Sequence, residues 1–133
     1  MSDTSAMART AKSRLWLRIG CWTFVATALL HLIGHFQALA GSSDLLVGFS
    51  WSFSALCLFA GLAGLAVARQ GGVRLVRTVA VLYSLLAGAM LVISIRFFAL
   101  PPVVSFGIVL LSCGIAAVAG RPGDDADPIR APG

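Results

Sequence analysis

Apolar residues fill four long blocks of the chain, and the breaks between the blocks are short and polar. The first block starts near Leu15 and reaches Ala40. The second runs from about Leu45 to Ala68, the third from about Leu75 to Ala99, and the fourth over 102–119. Gly41-Ser-Ser-Asp44 separates the first two, and Asp44 suits the N-cap of the second helix. A basic turn from Arg69 to Arg77 separates the next pair. Pro101 and Pro102 then end one helix and open another, because proline fits a first helical turn but not an interior. Gly120, Arg121 and Pro122 stop the last block.

Each block holds roughly 18–25 mostly apolar residues, enough to cross a hydrocarbon core of about 30 Å as a helix. Strands of a membrane barrel would alternate over about 10 residues, and these blocks do not. The pattern therefore predicts four transmembrane helices, over about 15–40, 45–68, 75–99 and 102–119. Short links make successive helices antiparallel. The expected fold is all-α, an integral membrane antiparallel four-helix bundle over 14–120. A disordered basic tail (1–13) precedes it and a polar tail (121–133) follows.

Composition narrows the class further. The chain has 133 residues, enough for one domain, and is 59% hydrophobic and 11% charged, with a mean hydropathy of +0.94. A soluble domain carries about 25% charge, so most of this chain must face lipid, and the lipid bilayer is its first partner. The net charge of +5 comes from ten Lys and Arg against five Asp, with no Glu. Arg9, Lys12, Arg14 and Arg18 flank the first block, and Arg69, Arg74 and Arg77 sit in the second link. The first link has no cation, and the third has only Arg96 nearby. Basic flanks stay on the cytoplasmic side, which puts both termini there. The same distribution speaks for topology and against nucleic acid as a partner.

Small residues mark candidate packing faces: Ala60, Gly64 and Ala68; Ser84 and Gly88; Gly107 and Gly114. Cys21, Cys57 and Cys113 lie far apart within apolar blocks, without a CxxC, and read as small buried side chains. Ala38-Leu-Ala40 before Gly41 fits a signal-peptidase site. However, ten residues separate Leu30 from that point and include His31, His35 and Gln37, so the first helix is expected to be retained.

His31 and His35 are the two histidines, four apart and so on one face of a helix. Ionisable groups inside a membrane segment suggest function. Three readings compete. The imidazoles can stay neutral and hydrogen-bond across helices, to Ser50, Ser52, Ser54, Ser94 or Ser105 in the same outer half. They can line a site for a lipid-like or quinone-like molecule with Arg96, and with Asp44 at the rim. They can hold a metal or a haem, the haem needing one histidine from each of two protomers. Arg96 has its own plainer role, reaching to the headgroups. No HExxH, P-loop, GxSxG or dinucleotide fingerprint occurs, and the absence of Glu sets aside drug exporters that need one in the first helix.

The segments "LRIGCWTFVATALLHLIGHF", "DLLVGFSWSFSALCLFAGL" and "RFFALPP" together resemble uncharacterised families of small bacterial four-span membrane proteins, loosely DoxX-like in layout, over residues 14–119. The resemblance implies a four-helix bundle in a bacterial inner membrane and assigns no residue a role. The expectation is a non-enzymatic membrane protein. It would bind a lipid-like or quinone-like molecule, or stabilise a larger membrane complex or homodimer, through His31, His35, Arg96 and Asp44. A haem- or metal-binding redox protein using His31 and His35, and a ligand-free scaffold, are the alternatives.

Overall fold

The structure, a computed structural model, describes residues 2–38, 44–97 and 100–120. Four helices follow one another: α1 (Ser2–Ala38), α2 (Asp44–Gln70), α3 (Val73–Phe97) and α4 (Leu100–Ala119). All four are long and apolar enough to cross a membrane. The boundaries fall within about two residues of the sequence expectation, with one large exception. Residues 2–13, expected as a disordered tail, are helical and continue α1. The reason is local: no Gly or Pro interrupts the chain before Gly20, and Ala6, Met7, Ala8, Arg9, Ala11 and Lys12 are good helix formers. Once the apolar span has nucleated a helix, extending it is cheap. At 37 residues, α1 is roughly 55 Å long and projects beyond a core of about 30 Å. The polar tail over 121–133, and Ala38-Leu-Ala40 beyond Ala38, lie outside the described residues.

Glycine makes the tight link between α2 and α3. The amide of Gly71 donates to the carbonyl of Val67 at 2.7 Å, and that of Val76 to Gly72 at 3.0 Å, closing one helix and opening the next. A Cβ on Gly71 would lie 2.6 Å from the Val67 carbonyl oxygen, so a side chain there would break the turn. At the third link, Pro101 and Pro102 lie in the first turn of α4, where proline's missing N–H costs nothing.

The helices run up and down, and their packing order differs from their chain order. α1 packs along both α2 and α4, and α3 packs along α4, whereas α2 and α3 barely touch despite their short link. The α1–α2 seam rests on a stripe of small residues: Ser50, Ser54, Cys57, Gly61, Gly64 and Ala68 recur every three or four positions of α2 and are all buried. Small residues let backbones approach, which matters in lipid because apolar side chains gain little there from leaving the solvent. A Cβ on Gly61 would sit 2.9 Å from the Cys21 carbonyl oxygen, and one on Gly20 would sit 2.7 Å from the Cys113 sulfur. Gly64 is wedged against the sulfur of Cys21 and the ring of Tyr83.

One of the expected packing faces is not a close contact: Gly107 and Gly114 have open space where a Cβ would stand, whereas Gly88 faces Leu110 of α4 at an ordinary van der Waals distance of 3.8 Å. Close helix contact therefore runs through Gly20, Gly61 and Gly64. Sequence spacing cannot separate a lipid-facing small residue from a packed one when every face of the helix is apolar. The three cysteines are buried and unbridged, as their positions suggested.

Candidate functional site

His31 sits near the end of α1 with its ring half-buried against α2. Its Nε2 and the Ser50 hydroxyl are hydrogen-bonded at 3.0 Å. The ring lies edge-on to Phe53, with centroids 5.0 Å apart. Behind it, further rings continue into the bundle in edge-to-face contact. Phe53 meets Phe106 at 6.2 Å, Phe106 meets Phe24 at 6.4 Å, and Phe24 meets Tyr83 at 5.5 Å. These separations and tilts suit the ring quadrupoles. The row draws on all four helices. It starts at an imidazole near one end and finishes at a phenol, whose Oη donates to the Ala60 carbonyl at 2.6 Å.

One turn along α2 from Ser50 is Ser54, which is 6% exposed. Its hydroxyl is buried and has no hydrogen-bond partner. A hydroxyl in that state costs free energy, because it has left water and gained no acceptor. Ser52, on the other face of α2, instead donates to the Gly48 carbonyl of its own helix at 2.9 Å. Ser94 is buried and Ser105 half-buried.

Of the four residues expected to form the site, the structure gives His31 described partners: Ser50 and Phe53. His35 lies one turn further along α1, and its side chain is outside the described residues. Arg96, in the last turn of α3, and Asp44, in the first turn of α2, are exposed and make no hydrogen bond or ion pair among the described residues. No group of three metal-ligating side chains gathers among the described residues, which do not include the His35 side chain. The aromatic row was not anticipated, and Ser54 was expected only as one of five serines able to hydrogen-bond the histidines. The signal for Ser54 was the three-and-four spacing of small residues from Ser50 to Ala68, which puts Ser50 and Ser54 on the packed face.

At the opposite end, two adjacent residues of α1 hold the ends of two other helices. The Ser13 hydroxyl donates to the Ala116 carbonyl of α4 at 2.7 Å. The Arg14 guanidinium donates from Nη2 to the Gly71 carbonyl, just past α2, at 2.9 Å. Carbonyls at a helix C-terminus lack partners in their own helix and favour a cation, so Arg14 meets both needs.

Compared with models of known families, with curated proteins and with solved structures, the chain matches none.

Proposed function

We propose that this small integral membrane protein binds a lipid-like or quinone-like molecule at its His31 end, without catalysing a reaction. The observation that carries the reading is the buried Ser54 hydroxyl without an acceptor among the described residues, one turn inward from the His31–Ser50 pair and next in sequence to Phe53 of the row of rings. A ligand carbonyl would supply that acceptor, and its apolar body would suit the aromatic surroundings. In this reading His31 is positioned by Ser50, and His35 and Arg96 hydrogen-bond the ligand head. Asp44 stands at the rim. The basic flanks support cytoplasmic termini, and the DoxX-like layout supports a bacterial inner membrane.

The test uses the full chain, purified in mild detergent and loaded with a short-chain benzoquinone or with the lipids it carries from the membrane. Native mass spectrometry should show one discrete adduct. The paired change His35→Ala and Arg96→Gln should remove it and leave the protein folded. An adduct that survives the pair intact sinks the assignment of those residues. The His31–Ser50 bond itself favours a second reading, a ligand-free scaffold or a subunit stabilising a membrane complex, because it satisfies the imidazole from within the chain. A protein that retains no adduct from membrane or probe would favour the scaffold.

A further inference from the structure

The end of the bundle opposite His31 carries seven described cations on three helices: Arg9, Lys12, Arg14 and Arg18 of α1, Arg69 of α2, and Arg74 and Arg77 of α3. Among the residues whose side chains are described, the only carboxylate is Asp44, at the other end. Lys12 is the chain's only lysine. Arginine offers a planar fork that meets two phosphate oxygens at once, which lysine does not. Sorting the chain's topology requires positive charge of either kind, so the arginine-rich end is open to a more specific role.

Two of these cations, Arg14 and Arg77, lie beside fixed helix ends. Arg14 is fixed by its bond to the Gly71 carbonyl, and its buried Nε has no acceptor within the protein. Next to it, Ser13 is bonded to Ala116. Gly120, at the end of α4, lies between Ser13 and Arg77: a Cβ placed on it would be 3.0 Å from the Ser13 oxygen and 3.5 Å from the Arg77 Cβ. Ser13, about three turns into α1, the beginning of α3 and the end of α4 therefore meet at one point, with Arg77 half-buried beside it and Arg74 exposed one turn outward. Arg18 is one turn deeper than Arg14 on α1, so the guanidinium groups cover a depth of about 6 Å, within the headgroup layer that flanks the hydrocarbon core.

We propose that this end binds the headgroup of an anionic phospholipid, with Arg77 and Arg74 of α3 holding the phosphodiester beside the Arg14 guanidinium. A cluster of basic side chains on neighbouring transmembrane helices at headgroup depth is suited to such a lipid. The bound anion offsets the repulsion among Arg14, Arg74 and Arg77, which have no carboxylate partner among the described residues. Zwitterionic lipids bring their own ammonium group and give less.

The test titrates the full chain in mild detergent with phosphatidylglycerol or with phosphatidylcholine, reading bound lipid by native mass spectrometry and the thermal midpoint in parallel. Phosphatidylglycerol should be retained at low stoichiometry and raise the midpoint, whereas phosphatidylcholine should do neither. Salt should weaken the effect. Arg77→Gln and Arg74→Gln are the primary variants, since neither side chain has a hydrogen bond to lose among the described residues. Each should weaken phosphatidylglycerol retention about fivefold, the effect of roughly one surface cation. Arg77→Lys should recover only part of it. Equal retention of both lipids overturns the proposal. So does undiminished retention in the double variant, which would leave the cations as topology signals alone. Inorganic phosphate that competes as well as the lipid would show a free-anion site, and that outcome also overturns it.

Discussion

Tyr83 donates a hydrogen bond to the carbonyl of Ala60 at 2.6 Å, bridging two helices that the chain joins by two glycines yet hardly packs together. Ala60 lies 11 residues before Gly71 and Tyr83 lies 11 residues after Gly72. Both are thus roughly 16 Å from the turn, close to mid-membrane. The phenol acts as a strut across α2 and α3. Tyr83→Phe keeps the ring against Phe24 and removes only the donor. It should cost about 0.6 kcal/mol and at most roughly 1.7 kcal/mol, the range for hydrogen bonds between membrane helices. Unfolding in mixed micelles reads the stability, and spin labels on α2 and α3 read their separation. The separation should widen or its distribution broaden. An unchanged midpoint with an unchanged distance would show that Tyr83 is no strut.

The glycines divide into two groups with opposite responses to a methyl group. Gly61→Ala drives a Cβ to 2.7 Å from Val25 and 2.9 Å from the backbone oxygen of Cys21. The backbone cannot step aside cheaply, so a loss of roughly 1–3 kcal/mol is expected from overpacking. Gly107→Ala and Gly114→Ala meet nothing within 4 Å. There the better helix propensity of alanine should leave stability unchanged or raise it by up to about 1 kcal/mol. The same unfolding assay ranks all three. Equal losses at Gly61 and Gly107 would mean that α1 does not approach α2 through that seam.

The contrast between those glycines also marks what could be read from the sequence. The four spans and their antiparallel course were legible because span length is fixed by bilayer thickness, and the blocks are long and uninterrupted. His31's bond to a serine of α2 was legible as a class of contact, since height along an antiparallel pair follows from residue count. Which serine it was, and which glycines touch, was not. A helix that is apolar all round loses the periodicity that tells the packed face from the lipid face. The order in which helices neighbour one another was also hidden, because short links suggest that α2 and α3 pack and the structure pairs each with another helix. Arg14 read only as a topology signal, because its bond to Gly71 depends on bringing together residues 57 positions apart. The helical state of residues 2–13 was masked by their polarity, although Ala6, Met7, Ala8, Arg9, Ala11 and Lys12 are good helix formers.

Ser13 and Ala116 supply a prediction at the Arg14 end. The Ala116 carbonyl accepts from both the Ser13 hydroxyl at 2.7 Å and the Gly120 amide at 3.0 Å. Ser13 is 2% exposed, so its hydroxyl has no water to turn to. Ser13→Ala should cost about 1 kcal/mol. The loss should be local, because the backbone bond from Gly120 remains. Hydrogen exchange should therefore speed up in the last turn of α4 and stay unchanged around Phe106. Exchange that accelerates evenly along α4 would mean that Ser13 supports the whole bundle and not that one helix end.

Ser54 offers the sharpest separation between a binding protein and a scaffold. Its hydroxyl is buried, has no partner and lies one turn inward from Ser50. In the empty protein that group is a liability, since a buried unpaired donor costs about 1–3 kcal/mol. Ser54→Ala removes the liability and adds no bulk, so the empty protein should become more stable by about 1 kcal/mol. If a ligand carbonyl accepts from Ser54, the same change should weaken ligand retention. The two effects then have opposite signs, and a purely structural serine cannot produce that pairing. The measurement compares the unfolding midpoint of delipidated protein with the adduct seen by native mass spectrometry, for the parent and for Ser54→Ala. Higher stability with a lost adduct supports the site. Higher stability with an intact adduct places the ligand elsewhere. Lower stability would mean that the hydroxyl already has a partner in the folded chain, and the argument for a ligand at that position would then have no basis.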